Sequence, residues 1–355
     1  MRRAWLFVGC LAGCSTIAPL DETGSEATGG GPGSTGSSDS VGTGSGTLPP
    51  SETSNEVGSE AQPTGGGDSG TTIDVDVATE GTTVATSLTT ATTVSEETGG
   101  ESTGGDPGVG CGGEPVAAGA QDRMLVVDGV DRHYIVVVPP NYDPNTSYPL
   151  VFAWHGSGGS GMLARQYFGI EEASAGAAIF VYADGLPLPD MMNQTGWNLN
   201  EDGEDVEFFD AMLADLQATL CVDDARVFSA GHSFGGFMSN ALGCFRGGTI
   251  RAIAPVAGGG PFGACTGQVA AWIAHGTLDE VVNFTFGEMS RDLWAAANGC
   301  DTSMASDVDP APCVAYAGCD AGYPVHWCQH DIPDFSGHTW PAWAGAGIWG
   351  FFAAL

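Results

Sequence analysis

The sequence contains no lysine. Its nine basic residues are all arginine, set against 43 aspartates and glutamates, for a net charge of −34. So acidic a chain repels polyanions, which excludes nucleic acid as a partner and electrostatic attachment to an anionic membrane surface. Residues 15–109 lack more still: they hold no Lys, Arg, His, Phe, Tyr or Trp. Built from Gly, Ser, Thr, Glu, Asp and Pro with scattered valines, this stretch cannot bury enough apolar surface to offset the entropy of ordering. It reads as an acidic, self-repelling linker.

The apolar stretch at 4–11 is too short to span a membrane as a permanent helix. With Arg2 and Arg3 before it, it reads as an export signal. It ends in Leu11-Ala12-Gly13-Cys14, which resembles the bacterial lipobox. That resemblance implies cleavage before Cys14, lipidation of its sulfur, and a membrane met only through this anchor. An ordinary secretory signal with an incidental cysteine is the competing reading. The domain boundaries that follow are 1–14 for the signal, 15–109 for the linker and 110–355 for one folded domain, large enough for a single α/β unit.

Within 110–355 the pattern alternates. Arg123–Val127 and His133–Val138 read as strands joined at Asp128-Gly129, a hairpin signal. Pro149–Trp154, Ala178–Tyr182, Ile250–Val256 and Val269–Ala274 are short apolar runs of the kind buried on both faces, and Pro324–Cys328 is a last strand. Met162–Ala173 suits one helix. Asp205–Leu220 is amphipathic, with Phe209, Met212, Leu213, Leu216 and Leu220 on one face, and Ile348–Leu355 is a closing helix. Strands interleaved with helices predict an α/β fold with a mostly parallel sheet covered on both faces. Ligands then bind beyond the carboxyl ends of the strands. Eight cysteines remain besides Cys10 and Cys14, which in an exported chain predicts up to four disulfides of unspecified pairing.

Gly231-His232-Ser233-Phe234-Gly235 lies between a strand-forming run and a helix-forming one. That is the context of a nucleophile elbow, a turn sharp enough to lift the serine oxygen above the sheet. A serine needs a base, and the base an orienting carboxylate. On this kind of fold the chain order is nucleophile, acid, histidine. Asp279 follows the 269–274 run and His338 follows the last strand, so Ser233, Asp279 and His338 are the candidate catalytic residues, with Glu280 and Asp301 as competing acids. The oxyanion donors expected are the N–H groups of Phe234 and of Ser157, in the glycine loop after 149–154. His326 and His330 flank Cys328, but nothing suggests a fourth metal ligand. No metal or organic cofactor is required.

These residues together, with Tyr182-Ala183-Asp184-Gly185, Gly196-Trp197-Asn198, Asp205-Val206, Cys221-Val222-Asp223, His275-Gly276-Thr277 and Gly337-His338-Thr339-Trp340-Pro341, resemble the α/β-hydrolase family of feruloyl esterases, acetylxylan esterases and extracellular polyhydroxybutyrate depolymerase-like proteins. The resemblance implies an α/β-hydrolase fold and a serine carboxylic ester hydrolase acting outside the cytoplasm through an acyl-enzyme. Its substrate would be a polymeric ester, feruloyl or acetylxylan esters first and a polyester second, and the chain would act as a monomer. A non-catalytic glycan-binding lipoprotein is the remaining alternative. Phe234 stands where the family often has asparagine, so its ring bears on the acyl pocket. Trp197, Trp340 and His155 are candidates for substrate contact; a core position for the tryptophans and a structural hydrogen bond for His155 are the rival readings.

Overall fold

The computed structural model describes residues 110–355; the stretches read as export signal, with Cys14, and as linker over 15–109 lie outside the described residues. Two strands open the fold, β1 (Gly119–Val127) and β2 (Val130–Val138). Asp128 and Gly129 between them have φ of 49° and 79°, the left-handed pair that a tight two-residue hairpin uses. β3 (Tyr148–Trp154) is followed by α1 (Gly161–Phe168) and α2 (Ile170–Ser174). The single helix predicted over 162–173 is thus two: Gly169 takes φ of 67° and ends the first. β4 (Ile179–Ala183) leads into a small hairpin of β5 (Leu186–Leu188) and β6 (Gln194–Gly196). Next come α3 (Glu204–Thr219), β7 (Val222–His232), α4 (Phe234–Phe245), β8 (Ile250–Val256), β9 (Ala270–Gly276) and α5 (Phe284–Ala297). β10 (Asp301–Asp307), β11 (Cys313–Ala317), β12 (Val325–His330) and α6 (Ala344–Ala353) complete the chain.

Ten strands form one sheet in the order β1-β2-β4-β3-β7-β8-β9-β12-β11-β10. The six from β4 to β12 run parallel, and antiparallel strands flank them on both sides. Parallel strands joined by helical crossovers have both faces covered, which is why their sequences are apolar throughout rather than alternating. β3 shows the division. Leu150, Phe152 and Trp154 point into the core layer that holds α3 residues Phe208, Phe209, Met212 and Leu216. Val151 and Ala153 point into the opposite layer, with Phe168 of α1 and Ile348 and Phe352 of α6. The carboxyl ends of β3, β7, β9 and β12 therefore open on one edge, carrying the glycine loop, Ser233, Asp279 and His338.

Four disulfides pair Cys111 with Cys221, Cys244 with Cys265, Cys300 with Cys319 and Cys313 with Cys328. The last joins residues directly opposite each other on β11 and β12, so it ties the antiparallel flank to the strand that delivers His338. Among the described residues no helix is long and apolar enough to cross a membrane.

Candidate active site

Ser233 alone separates β7 from α4, at φ 56° and ψ −120°. For a residue with a side chain such a conformation costs about 1–3 kcal/mol, so its surroundings must over-determine it. Two glycines do so by letting the backbones close up. A Cβ at Gly231 would collide with the Gly235 carbonyl oxygen, and one at Gly235 with that of Trp154. The Ser233 N–H donates to the Val256 carbonyl of β8 at 2.9 Å, and its own carbonyl accepts from Gly236 and Phe237 at 2.9 and 3.1 Å. Phe234 is the first residue of α4, where an N–H has no carbonyl one turn back.

Asp279 stands three residues beyond β9 and is almost fully buried. Its Oδ1 accepts the N–H groups of Val281 and Val282 at 2.9 and 2.8 Å, and its Oδ2 accepts from His338 Nδ1 at 2.8 Å. His275 adds its Nε2, 3.3 Å from the same Oδ2 and 2.9 Å from the Val282 carbonyl. Burial pushes the Asp279 carboxyl up, but hydrogen bonds from His275 and His338 and the charge of His338 outweigh it and hold the group well below the usual carboxylate range. With Nδ1 donating to the carboxylate, His338 presents Nε2 as its proton-accepting nitrogen. The His338 ring is stacked on His232, centroids 5.2 Å apart and planes 24° from parallel. His232 Nδ1 lies 3.0 Å from the Tyr167 hydroxyl. Burial first, then the charge of His338, holds the His232 pKa down at about 3, so that ring stays neutral.

The glycine loop is tied to β6. Gly158 N–H donates to the Thr195 carbonyl at 2.8 Å, the Thr195 hydroxyl donates to the Gly159 carbonyl at 2.7 Å, and the Ser157 hydroxyl donates to Gln194 Oε1 at 3.0 Å. The Phe234 ring lies over Gly196 of the same hairpin: a Cβ there would be 2.5 Å from the ring and 2.8 Å from Leu188 Cδ1.

Two of the substrate contacts expected from sequence do not survive. Trp197 is 1% exposed, set edge-on to Trp154, and donates from its indole to the His155 carbonyl. His155 is likewise 1% exposed, and both its ring nitrogens are bound to backbone, Nδ1 to the Gly156 carbonyl and Nε2 to the Gly185 N–H. Both residues are core. Trp340 is half-buried, stacked on Phe168 with centroids 4.0 Å apart, and its edge meets Tyr167 and His232. Of the competing acids, Asp301 is exposed in β10 and bound to Ser303, while Glu280 is exposed one residue past Asp279. Cys328 is in a disulfide, and among the described residues no cluster of three His, Cys, Asp or Glu is placed to hold a metal. The sequence reading missed His275 as a second partner of Asp279, although their spacing of four residues across a strand end was visible. It also missed the β5–β6 hairpin, too short to leave a pattern.

A strained serine between a parallel strand and a helix, with an Asp–His pair on the loops after later strands, defines an α/β-hydrolase. The solved structure of acetyl xylan esterase from Aspergillus awamori has the same fold, at a TM-score of 0.53 and 15% identity, over 65% of this chain and 99% of that one. No family model matches the chain. Feruloyl esterase D of Neurospora crassa is 35% identical over 243 residues, 63% of this chain and 81% of that protein. Feruloyl esterase C of Emericella nidulans is 31% identical over 264 residues, 69% of this chain and 90% of that protein. The chain belongs to this feruloyl esterase family.

Proposed function

We propose that the chain is a serine esterase that hydrolyses carboxylic esters through an acyl-enzyme on Ser233. The observation that carries this is the 2.8 Å contact between His338 Nδ1 and Asp279 Oδ2. It fixes the tautomer a general base needs, at the sheet edge that also bears the elbow serine. His338 Nε2 takes the Ser233 proton as Oγ attacks the ester carbonyl. The oxyanion is met by the N–H groups of Phe234, at the start of α4, and of Ser157, in the loop tied to β6. His338 returns the proton to the leaving alcohol, then takes one from the water that releases the acid. Asp279 stays ionised throughout and stabilises the imidazolium.

Feruloyl or acetylxylan esters of plant polysaccharide are the substrates we assign, by kinship with the two feruloyl esterases and by the partly exposed position of Ser233 and His338. Export is supported by the four disulfides, which belong to oxidising compartments. Lipid anchorage at Cys14, with 15–109 as spacer, rests on the N-terminal sequence alone.

The test is hydrolysis of methyl ferulate by the full chain beside its Ser233→Ala variant. Saturable turnover that falls at least about 10³-fold in the variant is expected. Absence of that turnover, with fast Ser233-dependent hydrolysis of an acetyl or hydroxybutyryl ester, keeps the mechanism and moves the substrate. Activity that survives in Ser233→Ala overturns the reading.

A further inference from the structure

One aromatic side chain is placed against every folding preference. Phe335 is 83% exposed, more than any other large hydrophobic among the described residues. It also takes φ of 51°, and Ser336 after it φ of 57°. The left-handed region suits Gly or Asn and disfavours a bulky side chain. A hydrated ring on a strained backbone adds nothing to the core, and such outliers gather where a ligand is handled.

The turn that strains Phe335 is built into the site. The Phe335 carbonyl accepts the His338 N–H at 3.1 Å, and the Ser336 carbonyl accepts the Glu280 N–H at 3.0 Å. The same turn therefore fixes the base and joins its loop to the one carrying Asp279, where Leu278 and Val281 are also exposed. Direction follows from the chemistry. The acyl carbon must lie over Ser233, between the Phe234 and Ser157 donors. The leaving oxygen must lie over His338, which protonates it. What is attached to that oxygen would then leave the site on the side of His338, where the 333–338 loop lies.

We propose that Phe335 is the platform on which a sugar ring of the leaving alcohol stacks, making it a specificity residue for polysaccharide esters. The proposal rests on the esterase reading above. A sugar ring offers a C–H face to an aromatic plane while keeping its hydroxyls in water, which fits a ring left in solvent rather than in a pocket. The chain's net charge of −34 favours a neutral polymer over a polyanionic one.

The experiment compares kcat/KM on a feruloylated arabinoxylan oligosaccharide with kcat/KM on methyl ferulate, whose leaving group has no sugar. In the full chain, Phe335→Ala lowers the ratio of the two about tenfold, the worth of one good aromatic contact, mainly through KM on the oligosaccharide. Phe335→Tyr keeps the ratio. Phe335→Asn lowers it without lowering Tm, because Asn accepts the left-handed backbone. An unchanged ratio in Phe335→Ala overturns the proposal, and so does a Tm that falls in Phe335→Asn, which would make the ring structural. If the unaltered chain hydrolyses no feruloyl ester, the acyl assignment has failed, and the ratio is then measured with acetylated xylo-oligosaccharide against methyl acetate, where the same outcomes support or overturn the role of Phe335.

Discussion

At the residue scale, three of the eight non-glycine residues with positive φ among the described residues, Ser233, Phe335 and Ser336, belong to the candidate site and its loop; Asp128, Ala175, Met192, Asn193 and Ala257 hold it elsewhere. Asp279 is met by two backbone N–H groups and two histidines, so neither carboxylate oxygen is left for water. Elsewhere the residues that carry the family resemblance do structural work. Asp205 forms a buried ion pair with Arg132 and accepts the Asn198 N–H. Asp184 accepts the Gly161 N–H that starts α1 and binds His133. Asp223 holds Arg226 at the start of the elbow strand. A motif residue announces kinship; only its surroundings decide its role. Trp197 and His155 make the point: lying near the site along the chain does not say which way a ring turns, and theirs turn inward.

At the scale of elements, the small β5–β6 hairpin holds the glycine loop that we propose supplies an oxyanion donor. Three hydrogen bonds join it to residues 157–159. Thr195→Val removes the one from the Thr195 hydroxyl to the Gly159 carbonyl at nearly constant volume. We expect kcat on a soluble ester to fall roughly tenfold, less than the loss of a whole oxyanion donor, with KM little changed. A raised KM with kcat intact would contradict this role. The parallel strands, the opening hairpin, α3 and the elbow were legible because each has a continuous apolar run, a clear period or a glycine signal. α5, β10 and β11 were not. The α5 sequence is broken by Gly287, which gives its place to the His275 ring: a Cβ there would lie 2.5 Å from Nδ1. β10 is exposed along its whole length, so no burial pattern marks it. Disulfide pairing depends on strands meeting in space, as Cys313 and Cys328 do across β11 and β12, and spacing alone carries no record of that.

At the scale of the whole molecule, acid is the condition that should unfold it. Burial holds the pKa values of His155, His232, His326 and His330 below the ordinary histidine value, to about 3 for His232. The unfolded chain takes up these protons near pH 6.5 and the folded one resists them, so stability is lost as pH falls below about 6.5. Asp279 acts in the same direction further down, since its depressed pKa favours the folded state until its carboxylate is protonated. His133 opposes them: burial is outweighed by its bonds to Asp184 and Asp122, and its pKa is raised. Asp205, raised by burial, and Glu207, raised by its bond to Asp128, pull the same way as His133, but four desolvated histidines should set the trend. Melting followed from pH 7.5 to 5 should therefore give a falling Tm; a flat or rising Tm would contradict the account. The central claim, that Ser233 is the nucleophile, is tested most directly by treating the folded full chain with a fluorophosphonate and locating the adduct by peptide mass. One adduct on Ser233, absent from Ser233→Ala and strongly slowed in His338→Ala, is the predicted result. A folded chain that stays unlabelled, or carries the adduct on another residue, would contradict it.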